Sequence, residues 1–113
     1  MKDLVLEKLK ELNLGYSFEL FEEGVAKVVS EDVEIFVEYF TDTDTYMVFD
    51  GGYTTVECLE RFGDTKDIYN KMKTILEKYQ INKEQESMYI ECSQNEVEIN
   101  IEKLIKIQEE LLV

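Results

Sequence analysis

Asp42, Asp44 and Asp50 are the side chains in this sequence placed most like a reactive group. Asp42-x-Asp44 matches the start of a calcium loop. That pattern then needs an oxygen ligand at position 46 and a glycine at 47, where the chain has Tyr46 and Met47. Asx-type hydrogen bonding in a turn accounts for Asp42 and Asp44 without a metal. Asp50, followed by Gly51 and Gly52, reads as a corner acid that caps a helix starting near Tyr53. Paired carboxylates do acid–base work only where an apolar pocket raises one pKa, and the pattern points to no such pocket. There is no histidine, so Ser17, Ser30, Ser87 and Ser93 have no imidazole partner for nucleophilic catalysis. A P-loop, a GxSxG elbow, a CxxC pair and a dinucleotide fingerprint are all missing. Cys58 and Cys92 are two thiols, and a structural zinc site wants four nitrogen or sulfur ligands. They read as small, buried, reduced residues. The expectation is a protein that is not an enzyme, with no catalytic residue, metal or cofactor.

The elements that carry these residues follow from hydrophobic spacing. Leu4, Val5, Leu9 and Leu12 share a helical face, with Asn13-Leu14-Gly15 as the expected stop and Gly15 free to take the positive φ. Tyr16, Phe18 and Leu20 then alternate with polar residues. Glu22-Glu23-Gly24 turns the chain, Val25 to Val29 returns, and Glu31-Asp32 turns it again. Val33, Ile35, Val37 and Tyr39 alternate with Glu34, Phe36, Glu38 and Phe40. After the turn at 41–44, Thr45 to Phe49 completes a four-stranded antiparallel meander. A short helix from Tyr53 to Phe62 follows, with Val56, Leu59 and Cys58 facing inward. Gly63 stops it and Asp64 caps the next helix, where Ile68, Met72, Ile75, Leu76 and Tyr79 make the clearest helical stripe. Ser87 to Glu91 and Glu96 to Ile99 alternate with period two and read as a C-terminal hairpin looped at 92–95. Asn100 then caps a last helix. One long helix from Asn95 is the alternative. The fold class is α+β, with residues 1–113 as a single domain: an antiparallel meander of about four strands plus a C-terminal hairpin, helices packed on one face.

The stretch from Val33 to Phe62, with Asp50-Gly51-Gly52-Tyr53-Thr54 opening a helix and Leu59 before Gly63, resembles the small bacterial and phage proteins of domain-of-unknown-function family 1828. The resemblance runs from about Phe18 to the C-terminus. In that family a polar strand-end acid precedes the Asp-Gly pair, and here Val48-Phe49 stand at those positions. The resemblance implies this fold and a prokaryotic or phage setting. It implies no chemistry, because the family has no established activity.

Charge is distributed unevenly. The formal net charge is −14 on 113 residues, with a pI near 4.3. From Glu19 to Glu60 there are twelve acids and one lysine, so that segment holds −11. Residues 1–18 balance, 61–90 hold +1 and 91–113 hold −4. A surface this acidic excludes direct binding of nucleic acid, which needs cations for its phosphates. No run of 18 apolar residues is present to span a membrane. Met1-Lys2-Asp3 leads into a charged amphipathic stretch rather than an apolar signal region, so the expected location is the cytoplasm of a bacterial host cell. Solubility needs a net charge of only about 2–8 on a small domain. The surplus is therefore read as a field that steers the protein to a basic groove, as a DNA mimic does. The expected function is a small phage or mobile-element inhibitor of a host nucleic-acid-binding defence factor, anti-CRISPR-like. Glu31, Asp32, Glu34, Glu38, Asp42 and Asp44 would bind the partner, with Phe36 or Tyr46 as apolar anchor. The alternative is an intracellular protein–protein interaction module or homodimeric regulator. In that reading the acidic face is only solvated and Tyr53, Phe62, Tyr69 and Tyr89 make the contact surface. A homo-oligomer is compatible with either.

Overall fold

The computed structural model describes residues 3–84 and 87–112. In chain order the elements are α1 (Leu4–Leu12), β1 (Phe18–Glu22), β2 (Val25–Val28), β3 (Phe36–Phe40), β4 (Thr45–Phe49), α2 (Tyr53–Phe62), α3 (Lys66–Tyr79), β5 (Asn82–Glu84), β6 (Ser87–Cys92) and α4 (Val97–Leu112). The strands form one six-stranded sheet in the order β1-β2-β3-β4-β6-β5, and every neighbouring pair is antiparallel. The fold is α+β. Short polar turns at 23–24 and 41–44 join β1 to β2 and β3 to β4, and such turns suffice only for antiparallel neighbours.

Register assigns the two faces of the sheet. Ala26, Val37, Val48 and Ile90 lie opposite one another across four strands. With Val28, Tyr46, Met88 and Cys92 they meet Val5 and Leu9 of α1, Cys58 of α2, Met72 of α3, and Val97, Ile101, Leu104, Ile107 and Leu111 of α4 in one core. Each fully buried aliphatic side chain there contributes about 1.5–3 kcal/mol by leaving water. All four helices therefore cover the same face. The other face carries Phe36 in register with Lys27 and Phe49, and Phe49 with Tyr89.

Several sequence expectations are corrected. The hairpin drawn through Glu96–Ile99 does not form. Residues 94–96 make a single 3-10 turn, and Val97 begins α4, as in the one-helix alternative. Val97, Asn100, Ile101, Leu104, Ile107, Gln108 and Leu111 are all buried, so the helical period prevails over four residues of alternation. Ser93 and Glu96 form a reciprocal capping box ahead of the helix. Asn100 is an interior helical residue, not a cap. The hairpin partner of β6 is β5, and β6 also closes onto β4. α1 ends at the expected Asn13-Leu14-Gly15 stretch, but Asn13, at φ 53°, and not Gly15 takes the positive φ. Thr65, not Asp64, caps α3 by accepting from Ile68 N–H at 3.3 Å. Val56 points outward, leaving Thr54, Thr55 and Cys58 as the buried side of α2. β3 pairs regularly only from Phe36 onward.

A candidate partner-binding face on the sheet

The helix-free face is built from alternate residues of β1 to β4 and β6. Its centre is aromatic. Phe36 stacks on Phe49 with centroids 5.4 Å apart, and Phe21 meets Phe36 edge-on at 4.7 Å. Tyr89 lies beside Phe49 across the β4–β6 pair. Phe21 shares the parity of Glu19, which faces Lys27, so ordinary alternation turns it to this face. The β1–β2 register shift between Leu20 and Glu22 brings Glu22 opposite Val25 on the same face. Such a bulge re-aims one side chain. The sequence signal for Phe21 is an apolar residue standing at a position with the parity of Glu19. Phe21 is 57% exposed, so it is the apolar side chain this face offers to a partner.

Carboxylates flank the aromatic row. Glu38 stands opposite Val25 and Met47, and Met47 opposite Glu91. With strands about 4.8 Å apart, Glu38 and Glu91 lie on the order of 10 Å from each other. Glu34 sits on the same face and pairs with Lys27 at 3.4 Å, a half-exposed ion pair worth about 0–1 kcal/mol.

The eight residues singled out from the sequence do not form one cluster. Glu31 and Asp32 are exposed in the loop before β3, Glu34 and Glu38 lie along its helix-free face, and Asp42 and Asp44 are exposed in the turn beyond its far end. The six acids follow β3 over a distance on the order of 30 Å. That is roughly one charge per 5 Å, against one per about 1.7 Å of duplex DNA. The arrangement is thus a mixed acidic and aromatic surface, sparser than a phosphate ladder. Neither proposed anchor is accessible. Tyr46 is 1% exposed and points into the helix-covered core, while Phe36 is 6% exposed beneath Phe21 and beside Phe49. Burial pushes the Tyr46 phenol up, with Asp44 and Glu11 adding to the shift. The four aromatics of the alternative surface are also separated. Phe62 and Tyr69 lie in the helical layer, while Tyr89 is on the far side of the sheet.

Asp44 has a local structural role. It sits at φ 53°, a conformation Asp tolerates better than most residues, and accepts a 2.6 Å hydrogen bond from Tyr39 Oη. That bond, followed by desolvation and the nearby negative charge, pushes the Tyr39 phenol up to about 12. Asp50 is not available for chemistry either. It is 1% exposed and its Oδ1 accepts from Gly52 N–H at 3.0 Å, Met88 N–H at 2.9 Å and Ser87 Oγ at 3.5 Å. Its Oδ2 accepts from Thr54 N–H at 3.2 Å, which serves the start of α2 as the sequence suggested. The carboxylate also joins that corner to β6. Among the described residues no group of three or more His, Cys, Asp or Glu side chains could hold a metal ion. Cys58 and Cys92 are buried free thiols, and burial raises both their pKa values. No helix of the described residues is long and apolar enough to cross a membrane.

No family model, curated protein or solved structure matches this chain.

Proposed function

We propose that this chain is a non-enzymatic binding protein that masks a nucleic-acid-binding partner by laying the helix-free face of its sheet on that partner's basic groove. The observation that carries the reading is the aromatic row Phe21–Phe36–Phe49–Tyr89 left uncovered by helices and flanked by Glu38 and Glu91. Within the row Phe36 is buried, and Phe21, 57% exposed, is the ring that stands free for a partner. Carboxylates around an apolar centre match a cationic surface with apolar character. The charge steers encounter and the aromatics hold the complex. The resemblance in sequence to a phage and bacterial family supports the sharper form. In that form the chain acts in the bacterial cytoplasm against a defence nuclease such as a CRISPR effector, and Glu31, Asp32, Glu34, Asp42 and Asp44 extend the field on either side.

The test is displacement of a fluorescent DNA duplex from a CRISPR effector complex, measured across salt concentrations. The wild-type chain is expected to displace DNA at low salt, with apparent affinity falling at least tenfold between about 0.05 and 0.5 M salt as screening shortens. Glu38→Lys combined with Glu91→Lys is expected to abolish displacement, and Phe21→Ala to weaken it. Displacement that survives molar salt, or that the double reversal leaves intact, sinks the proposal. Glu34 is not used for reversal, because its loss would also free Lys27.

A further inference from the structure

A different surface, the outer edge of β1, carries a separate inference. β1 is five residues long and terminates the sheet, whereas the opposite edge strand, β5, has three. Edges are commonly blunted by proline, by lysine or other charges, and by bulges. β1 has no proline or lysine. Although it carries two glutamates and a bulge at its end, Phe18 to Leu20 pair regularly with β2. The hydrogen bond from Val29 N–H to Ser17 C=O fixes the phase of the β1–β2 ladder. In an antiparallel pair backbone groups alternate in direction, so Ser17 and Glu19 turn theirs to β2, while Phe18 and Leu20 turn N–H and C=O outward. These four groups form a template for another strand.

The surroundings state what that strand would be. The side chains of Phe18 and Leu20 lie on the helix side of the sheet, where two hollows flank α1. One, of about 620 Å³, is lined by Leu4, Leu6 and Leu20 with Asp3 and Glu23 at its rim; the other, of about 430 Å³, by Leu6, Leu9, Leu14 and Phe18 with Lys10 and Asn13. Leu6 belongs to both, so the hollows follow one another along β1. Leu4 and Leu20 are 42% and 49% exposed at this site. An added strand would point alternate side chains into these hollows. Its intervening side chains would lie on the helix-free side, where Glu19 stands. Glu19, Glu22 and Glu23 are exposed and make no ion pair among the described residues. A second copy of this chain is disfavoured as the occupant, because it would bring the same acids and a further −14 to the seam. We infer that β1 accepts, as a seventh strand, an extended segment of another protein in which aliphatic and basic residues alternate. Backbone hydrogen bonds would supply affinity and the alternation specificity.

The probe is a fluorescent ten-residue peptide of alternating valine and lysine with blocked ends, followed by anisotropy and by amide exchange. Saturable binding is expected, with exchange of the Phe18 and Leu20 amides slowed at least tenfold. Three comparisons are each expected to weaken binding at least tenfold. They are a peptide of the same composition with its alternation scrambled, the alternating peptide N-methylated at every second residue on its ladder edge, and the protein variant Leu20→Pro. Proline at position 20 removes an N–H that the β1–β2 ladder does not use, a placement edge strands tolerate. The N-methylated peptide leaves the protein untouched, so a folding defect cannot imitate the result. Equal binding of all three peptides would mean charge attraction alone and would overturn the inference. So would a concentration-dependent dimer of the chain that Leu20→Pro abolishes. The peptide reads the edge without any nucleic acid present, so its failure would leave the face proposal standing.

Discussion

Replacing Asp50 tests how the two halves of the chain are joined. Its carboxylate is 1% exposed and is the acceptor for three backbone N–H groups: Gly52 and Thr54 at the start of α2, and Met88 in β6. Asp50→Ala leaves all three without that acceptor. A buried donor left unsatisfied costs about 1–3 kcal/mol. The Met88 amide lies in the sheet interior, where Met88 itself is fully buried, and it bears the full cost. Gly52 and Thr54 are themselves buried and only their neighbour Gly51 is exposed, so water replaces the carboxylate there only in small part. Removing the charge also removes its own desolvation cost. The balance is a loss of about 2–4 kcal/mol, a large share of the roughly 5–15 kcal/mol that holds a domain of this size. Asp50→Asn separates charge from shape. Its amide oxygen can keep Gly52 and Met88, but the amide nitrogen then faces the Thr54 N–H, two donors together. About 1–2 kcal/mol is expected for that single lost bond. Urea unfolding followed by circular dichroism measures both variants. At a slope of about 1–3 kcal/mol/M, Asp50→Ala should lower the midpoint by about 1–2 M with the slope unchanged. A loss under about 1 kcal/mol for Asp50→Ala, or equal losses for Ala and Asn, would refute the account of this carboxylate as the tie between α2 and β6.

Other outcomes follow from single contacts. The bond to Asp44 needs a protonated Tyr39, whose pKa is raised from 10.0 to about 12. Its contribution is therefore present below pH 10 and is lost as pH rises through about 12. An ultraviolet absorbance titration should show Asp44→Asn moving one tyrosine back towards 10, and an unchanged titration would count against the bond. Gly24 and Gly51 both have positive φ, but only at Gly51 would a Cβ meet a ring, 3.2 Å from Phe36 Cε2. Thermal unfolding should show Gly24→Ala costing about 1 kcal/mol and Gly51→Ala about 2–3 kcal/mol. Ser93→Ala removes the capping box before α4 and should cost about 1 kcal/mol in the same assay. Leu104→Ala, in the buried stripe of α4, should cost about 2–5 kcal/mol in urea unfolding.

The meander was legible because alternation, turn residues and glycine all agreed from Phe18 to Phe49. α3 was legible because Ile68, Met72 and Leu76 repeat every fourth residue over a helix long enough to show the period. The start of α4 was misread for a physical reason. Glu96-Val97-Glu98-Ile99 alternates like a strand, and the deciding facts are the burial of Asn100 and the exposure of Ile99, at 54%. Neither is visible without the sheet against which α4 packs. The anchors were misread in the same way. Tyr46 sits in a strand whose two faces are chemically similar in sequence, so alternation could not say which face the helices would cover. Phe36 is on the open face and is buried by Phe21 and Phe49 instead.

By itself the sequence determined the fold class, the segregation of negative charge into one stretch and the lack of histidine chemistry, because these depend on composition and local period. Tertiary structure alone decided which side of the sheet stayed open, that β1 became an edge, that Phe21 came to lie over Phe36, and that Asp50 was consumed as a buried acceptor. Each of these depends on pairing partners far apart in the chain, such as β4 with β6 or Asp50 with Met88, and local periodicity carries no record of them.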